Sequence, residues 1–513
     1  MNIHLHVLNA LPALSLALGA SVLFLLDTFI PKGRKAMTAW LAVIGVLVSL
    51  VVTVITFGWQ THSFSGMFIA DSFTALIDTI TLITAFISIL LGYDYLKRTK
   101  MERGEYYPLM LLSASGAMFM GAAGDLVVVF VALELLSIPL YIMAAFRHND
   151  ARSEEAAMKY FLLGAFSTGF LVYGIALVYG ACGTTDLQTI FARFSAGGNS
   201  SFLLLMGSGL LLVGLGFKVA AVPFHMWTPD VYQGSPTPVT SFMSVAAKVG
   251  GFGALLRVMT IAIPTLVLST VKLAPGQSAV IHTTWQDTVT IIAALTMILG
   301  NFVAISQKDI KRLLAYSSIA HAGYIMMAVA AAGTFTATNV NGTITVSLSY
   351  ADYAVQGALF YLLAYMFTNL GAFGVAIAVE RDDASGTLVD DFAGLGKRQP
   401  MLAIAMVIFM LSLIGIPLTA GFVGKWYVFL AAVNANLAGL ALIGVLTSII
   451  SAYYYLRVVV KMWLEPGESD ARLALPLSGA VALCAVATLV LGIAPFAVNL
   501  VQTVQTTVAM LPK

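Results

Sequence analysis

Long apolar runs parted by short polar stretches make up nearly the whole chain. A helix that crosses a bilayer needs about 20 apolar residues at about 1.5 Å each. By that measure about fourteen segments qualify. They fall near residues 10–30, 36–57, 70–96, 106–122, 124–146, 156–182, 202–222, 236–263, 286–304, 309–333, 350–379, 400–428, 436–463 and 473–503. The seventh run breaks at Pro223, and Gly415, Pro417 and Gly421 interrupt the twelfth. The pattern predicts an all-α polytopic membrane protein with broken helices at segments 7 and 12.

Basic residues test this count. Lys32, Arg34 and Lys35 follow segment 1, and Lys97, Arg98, Lys100 and Arg103 follow segment 3. Arg147, Arg152 and Lys159 follow segment 5, and Lys308, Lys311 and Arg312 lie between segments 9 and 10. Arg381, Lys397 and Arg398 follow segment 11, and Arg457, Lys461 and Arg472 follow segment 13. The alternate loops hold only Arg193, Lys272 and Lys513. Under the positive-inside rule, odd-numbered segments end in the cytoplasm and both termini lie outside. The loop at 223–236 should be cytoplasmic yet has no Lys or Arg, as expected of a segment folded back into the protein.

Composition narrows the function. Hydrophobic residues make up 59% and charged residues 10%, far below the roughly 25% of soluble domains. A net charge of +2 gives nucleic-acid binding no support. The two cysteines, Cys182 and Cys484, imply neither a disulfide framework nor a metal site. The N-terminus lacks a basic n-region and reads as the lead-in to a spanning helix. With no phosphate loop, CxxC set, haem motif or dinucleotide fingerprint, this chain is expected to hold no redox cofactor and to hydrolyse no nucleotide.

Within that apolar background, residues 214–250 concentrate the chemistry. Lys218 precedes the break at Pro223; His225, Asp230 and Gln233 occupy the polar passage; Lys248 lies in the run beyond it. A lysine near the bilayer centre costs about 3 kcal/mol or more, and a broken helix there needs protein or water for its freed backbone groups. Snorkelling to an interface is the bland alternative, more open to Lys218 near its helix end than to Lys248. Once the cytoplasmic basic residues above are set aside, only Lys425 and Arg257 join these two inside the bilayer, and Arg257 can reach the outer interface. Glu134 follows Asp125 by nine residues, about 13 Å along a helix and close to mid-bilayer. It is a functional candidate, or one half of a fixed Glu–Lys pair that fastens two helices. His321, with Ser317 one turn before it, is either a relay station or a packing residue, and His225 stands likewise. Asp78, one to two turns into segment 3, can be buried or interfacial.

Segment 7 is fourth in the group 4–8, and segment 12 is fourth in the group 9–13. Each group has five members, so the second must be inverted. Inverted repeats with breaks at matching positions point to a transport site. The expected organisation is a three-helix segment over 1–105, a first repeat over 106–263, an inverted repeat over 286–463 and a last helix over 473–513. Chance Pro and Gly in segment 12 would explain its interruption without a repeat.

FKVAAVPFHMWTPDVYQGSPTPVT and KDIKRLLAYSSIAHAGY resemble the signatures of the antiporter-like membrane subunits of respiratory complex I, the proton-translocating NADH-quinone oxidoreductase. The resemblance covers nearly the whole chain. Its implied functional residues are Glu134 on segment 5, Lys218 on segment 7 as its partner, Lys248 on segment 8 and Lys425 on segment 12, with His225 and His321 near the hydrated axis. Subunit M typically has glutamate where Lys425 stands, and subunit L continues into a lateral helix; IPLTAGFVGKW and an end just past segment 14 imply the third kind. The resemblance implies a non-redox subunit of a translocase in a bacterial cell (inner) membrane. FMN, iron–sulfur clusters and quinone are expected in partner subunits. Expected neighbours are other membrane-arm subunits, a lateral helix from subunit L, and lipid. A subunit of a multisubunit cation/proton antiporter is the nearest alternative; a stand-alone solute transporter and a membrane scaffold are more distant ones.

Overall fold

The computed structural model describes residues 7–59, 61–195, 201–262, 274, 276–340, 343–347 and 349–493. The end of the last expected segment, 494–503, lies outside the described residues, as do Lys272 and Lys513. Three helices come first: α1 (Leu11–Phe29), α2 (Ala36–Ile55) and α3 (Ser72–Arg98). Next come α4 (Tyr106–Ala122), α5 (Leu126–Ala144), α6 (Ala151–Cys182), α7 (Ser201–Lys218) and α8 (Thr237–Arg257). α9 (Gln286–Ile305), α10 (Ile310–Ala332) and α11 (Ser349–Val379) follow. α12 (Pro400–Ile414), α13 (Ala420–Asn434), α14 (Ala438–Leu464) and α15 (Leu475–Ile493) complete the bundle. Every expected segment coincides with one of these helices, and segment 12 with two, α12 and α13. Among the described residues, eleven helices are long and apolar enough to cross a membrane.

Aspartates start four of the helices. Asp71 accepts from Thr74 N, Asp125 from Val127 N, Asp150 from Arg152 N, and Asp309 from Lys311 N and Arg312 N. Each carboxylate satisfies amides that the first turn leaves free. α8 is wholly buried, and α10 and α11 nearly so, which makes them the centre of the bundle. α1 and α2 instead turn Leu25, Phe29, Val54 and Ile55 outward, as lipid contact requires.

Two close crossings have the same design. A Cβ on Gly116 of α4 would come within 2.3 Å of Leu136 N on α5, and a Cβ on Gly300 of α9 within 2.6 Å of Ala320 N on α10. Only glycine lets the backbones approach so closely. Leu136 and Ala320 stand equally far past the capping Asp125 and Asp309, and the next residues, Ser137 and His321, both face the bundle interior.

Short strands, which the helical reading did not anticipate, tie the loops together. β1 (Thr61–Ser63) pairs with β2 (Phe68–Ala70), while β3 (Ser278–His282), β4 (Thr334–Val340) and β5 (Thr343–Ser347) form an antiparallel sheet. Isolated bridges join Phe68 to Ala123, Asp125 to Asp186, and Asp309 to Leu388. Each pairing joins loops that the basic-residue alternation groups on one face.

Two expectations about basic residues fail. Arg257 does not turn outward: it is 7% exposed and grips Asp71 with two contacts, Nη1–Oδ2 at 2.7 Å and Nη2–Oδ1 at 2.6 Å. Its Nε donates to Gly121 O, so a full set of acceptors replaces the headgroup water it would otherwise seek. Lys311, counted as a loop residue, is 4% exposed and donates to Ser235 O at 2.6 Å. Arg257→Met should cost about 3–5 kcal/mol by stranding Asp71. Adding Asp71→Asn should recover most of that loss. Thermal unfolding of the purified protein in detergent checks both; an unchanged midpoint for Arg257→Met contradicts the assignment.

Candidate functional site

Both helix breaks lie beside a lysine. α7 ends at Lys218, and the chain turns through Ala220, whose φ is +62°, before a short helix, Trp227–Gly234. The freed backbone groups find partners. Trp227 Nε1 donates to Phe217 O at 3.0 Å, Lys248 Nζ reaches Val219 O at 3.3 Å, and Val222 N donates to Thr296 Oγ1 on α9 at 2.9 Å. Trp227, Thr228, Pro229, Val231 and Tyr232 are buried, so the passage does fold back into the protein. At the second break Gly415 takes φ +91°. Lys425 Nζ caps the carbonyls of Leu413 and Ile414 at 3.0 and 2.8 Å, and Gly421 N donates to Ser412 Oγ at 3.0 Å. At this second break lysine and break answer each other: the carbonyls at the end of α12 solvate the ammonium, and the ammonium satisfies the carbonyls.

Lys218 is 2% exposed; its Nζ donates to Ser137 Oγ at 2.7 Å and lies 3.3 Å from Tyr160 OH. The Tyr160 ring stacks on Trp227 with centroids 4.5 Å apart, which holds the hydroxyl in place. Lys248, equally buried, donates to Ser318 O at 2.7 Å. From there polar groups continue. Ser317 bonds Tyr455 OH; His321 contacts Tyr455 OH through Nε2 at 3.2 Å and Tyr361 OH through Nδ1 at 2.6 Å. Tyr324, whose ring lies beside His321, has Lys425 Nζ 4.6 Å above its face. Lys425 also donates to Ser448 Oγ at 2.7 Å. Two small, mainly apolar cavities of about 10 Å³ each, at the lower limit for one water, lie along this course. One touches Lys218, Ser137 and Thr168; the other touches His321, Tyr361 and Ser412.

Glu134 is half-buried and accepts from Thr168 Oγ1 at 2.7 Å. The ion pair expected with Lys218 is not closed: Ser137, one turn along α5, bonds the lysine instead. Val127, Val131, Ile138 and Ile142 flank Glu134 along an exposed stripe of α5. His225 stands apart from the file. It is half-buried at the mouth of the first break, and its Nδ1 has no hydrogen-bond partner. Asp230 pairs with Lys159 and Arg312, both at 2.7 Å or less.

Sequence reasoning missed Glu380, which falls one residue past an expected helix end and reads as a loop acid. It is 2% exposed, accepts from Tyr95 OH at 2.8 Å and from Thr237 Oγ1, and lies 3.5 Å from Arg147. The aromatic hydroxyls Tyr160, Tyr361 and Tyr455 were missed too, because tyrosines in apolar runs read as packing. Among the described residues no group of three or more His, Cys, Asp or Glu is arranged to hold a metal.

Residues 123–451 match the family model described as "NADH:quinone oxidoreductase/Mrp antiporter, TM". The NADH-quinone oxidoreductase subunit N of Trichlorobacter lovleyi is 43% identical over 489 residues, covering 94% of each chain. The chain belongs to the NADH-quinone oxidoreductase subunit N family. Subunit N of Chloroflexus aggregans is also 43% identical, over 490 residues and 94% of each chain. A chain in the structure of respiratory complex I from Thermus thermophilus with bound aureothin superposes with a TM-score of 0.77 at 34% identity, covering 94% of this chain and 97% of that one. A chain of the Mrp complex from Dietzia superposes with a TM-score of 0.82 at 20% identity, covering 98% and 97%, a likeness of fold alone.

The two breaks differ in how firmly they hold their lysine, and this makes a stability prediction for the subunit N fold. Lys425→Met leaves the buried Leu413 carbonyl without a donor, at about 1–3 kcal/mol, and leaves Ile414 O with Ser448 Oγ alone. Lys218→Met frees only hydroxyls, which can turn to other acceptors. Thermal unfolding should show the larger loss for Lys425→Met; the reverse order contradicts the capping role.

Proposed function

We propose that this chain is a proton-translocating membrane-arm subunit of NADH-quinone oxidoreductase, carrying protons along Glu134, Lys218, Lys248, His321 and Lys425. The observation that carries the reading is the run of buried ammonium, hydroxyl and imidazole groups from Lys218 to Lys425. A scaffold has no need of the ammonium at Lys218, which meets only hydroxyls, since apolar residues of similar size often hold a fold as well.

A carboxylate near an ammonium favours its charged form. While Glu134 is ionised, Lys218 keeps its proton. When Glu134 is protonated or drawn away, Lys218 becomes the stronger acid and gives its proton toward Lys248. The Val219 carbonyl, one residue past Lys218, already touches Lys248 and fixes the two lysines on one course. Ser317, Tyr455 and His321 then lead toward Lys425. These groups titrate as one coupled set. His225, at the mouth of the first break, serves as a side branch where protons enter.

Glu134 sits on an exposed apolar stripe, where a neighbouring subunit's charges can bias it. The partners in this reading are the other membrane-arm subunits, including a lateral helix from subunit L. FMN, iron–sulfur clusters and quinone belong to partner subunits, and quinone reduction there drives the cycle. The helix groups 106–263 and 286–463 act as inverted repeats, each with one broken helix; the recurring glycine crossings support this. The membrane is the bacterial inner membrane, with both termini on the outer side.

A second reading, a subunit of a cation/proton antiporter, draws on the fold likeness to the Mrp complex. Identities of 43% to subunit N relatives favour the first. Vesicles carrying the complex separate the two: an imposed Na⁺ gradient should leave internal pH unchanged. Glu134→Gln and Lys218→Ala should each lower NADH-driven proton pumping by about tenfold or more, as loss of an acid–base group does, while the assembled complex persists. Normal pumping in both assembled variants contradicts the proposal.

A further inference from the structure

Asp78 takes no part in the lysine file. It lies two turns into α3 and is 2% exposed, yet its Oδ1 has no hydrogen-bond partner. An ionised carboxylate in such a place requires water or a proton. It is not alone. Thr81 Oγ1 and Ser88 Oγ, on the same face of the same helix, are also buried without a partner. Residues at 71, 74, 78, 81, 88, 92 and 95 fall within about 120° of the helix circumference at 100° per residue. That stripe runs the full length of α3.

Both ends of the stripe meet buried charge. At one end Asp71 and Thr74 hold Arg257. At the other, Tyr95 donates to Glu380, which also takes Thr237 Oγ1 at the start of α8. Between Ser88 and Tyr95 stands Gly92, where a Cβ would lie 3.4 Å from Tyr106 OH, another buried hydroxyl without a partner. α3 packs against α8, which carries Lys248, and against α11. Buried polar atoms are nearly always paired. Here Asp78, Thr81 and Ser88 leave three along one face of α3, with Tyr106 of α4 a fourth beside Gly92, and water is the partner that fits hydroxyls and a carboxyl so placed.

We propose that the α3 face forms a second hydrated proton track, separate from the lysine file, with Asp78 as its proton-carrying station between the Asp71–Arg257 pair and Glu380. Thr81, Ser88 and Tyr106 carry the hydrogen-bonded connection along it.

The test uses the assembled complex and infrared spectroscopy, without turnover. Wild type minus Asp78→Asn isolates the Asp78 carboxyl. The track requires a protonated-carboxyl band that shifts within minutes in heavy water. Thr81→Val with Ser88→Ala, which keeps the carboxyl, should slow that shift by about tenfold or more. Protons pumped per electron should fall in both variants; this arm rests on the proton-translocating reading, whereas the exchange arm does not. An absent band, a band that fails to exchange, or exchange unaffected by the double variant overturns the track. Normal pumping with slowed exchange overturns its role in turnover. Unaltered pumping in the Lys218 variant would instead count against the lysine file alone.

Discussion

An ammonium group cannot lie in hydrocarbon without oxygen around it, and this requirement organises the molecule. Lys218, Lys248 and Lys425 are each at most 4% exposed, and each finds its oxygens in a different way. Lys218 uses two hydroxyls, Lys248 two backbone carbonyls, and Lys425 two carbonyls and a hydroxyl. The breaks supply Val219 O to Lys248 and the Leu413 and Ile414 carbonyls to Lys425, while Ser318 O comes from within α10. Interrupted helices and these two buried lysines therefore act together as one device.

Keeping that device dry on its outside and polar on its inside explains the packing. α8, α10 and α11 carry Lys248, His321 and Tyr361 and are surrounded on nearly all sides. Glycines at 116 and 300 draw neighbouring backbones close, which sets where Ser137 and His321 face. Ion pairs at the ends, Asp71–Arg257 and Arg147–Glu380, join helices distant in sequence. The apolar exterior then belongs to lipid and to neighbouring chains.

Much of this was legible in the chain itself, because hydropathy and charge report directly on the solvent each residue meets. Spanning segments, both breaks, the fold-back at 223–236 and the burial of all three lysines follow from that physics. What it could not report was pairing. Arg257 looked free to reach the interface because its partner Asp71 lies far away in sequence. Lys311 and Glu380 looked like loop charges because a helix end in sequence says nothing about what covers it. Glu134 and Lys218 looked like an ion pair, whereas each bonds a hydroxyl, weak as a sequence signal: Thr168 for Glu134 and Ser137 for Lys218. The strands were hidden because three to seven residues of mixed polarity leave little periodicity to detect.

The central claim is that titratable groups between Lys218 and Lys425 are joined by water and hydroxyls across the middle of the bundle. A map of the assembled complex at a resolution that shows ordered water tests it most directly. The account predicts waters bonded to Lys218, Lys248, His321 and Lys425, with no gap between neighbours too wide for one or two more. Dry, close-packed side chains between any two of these residues, in every state resolved, would contradict it.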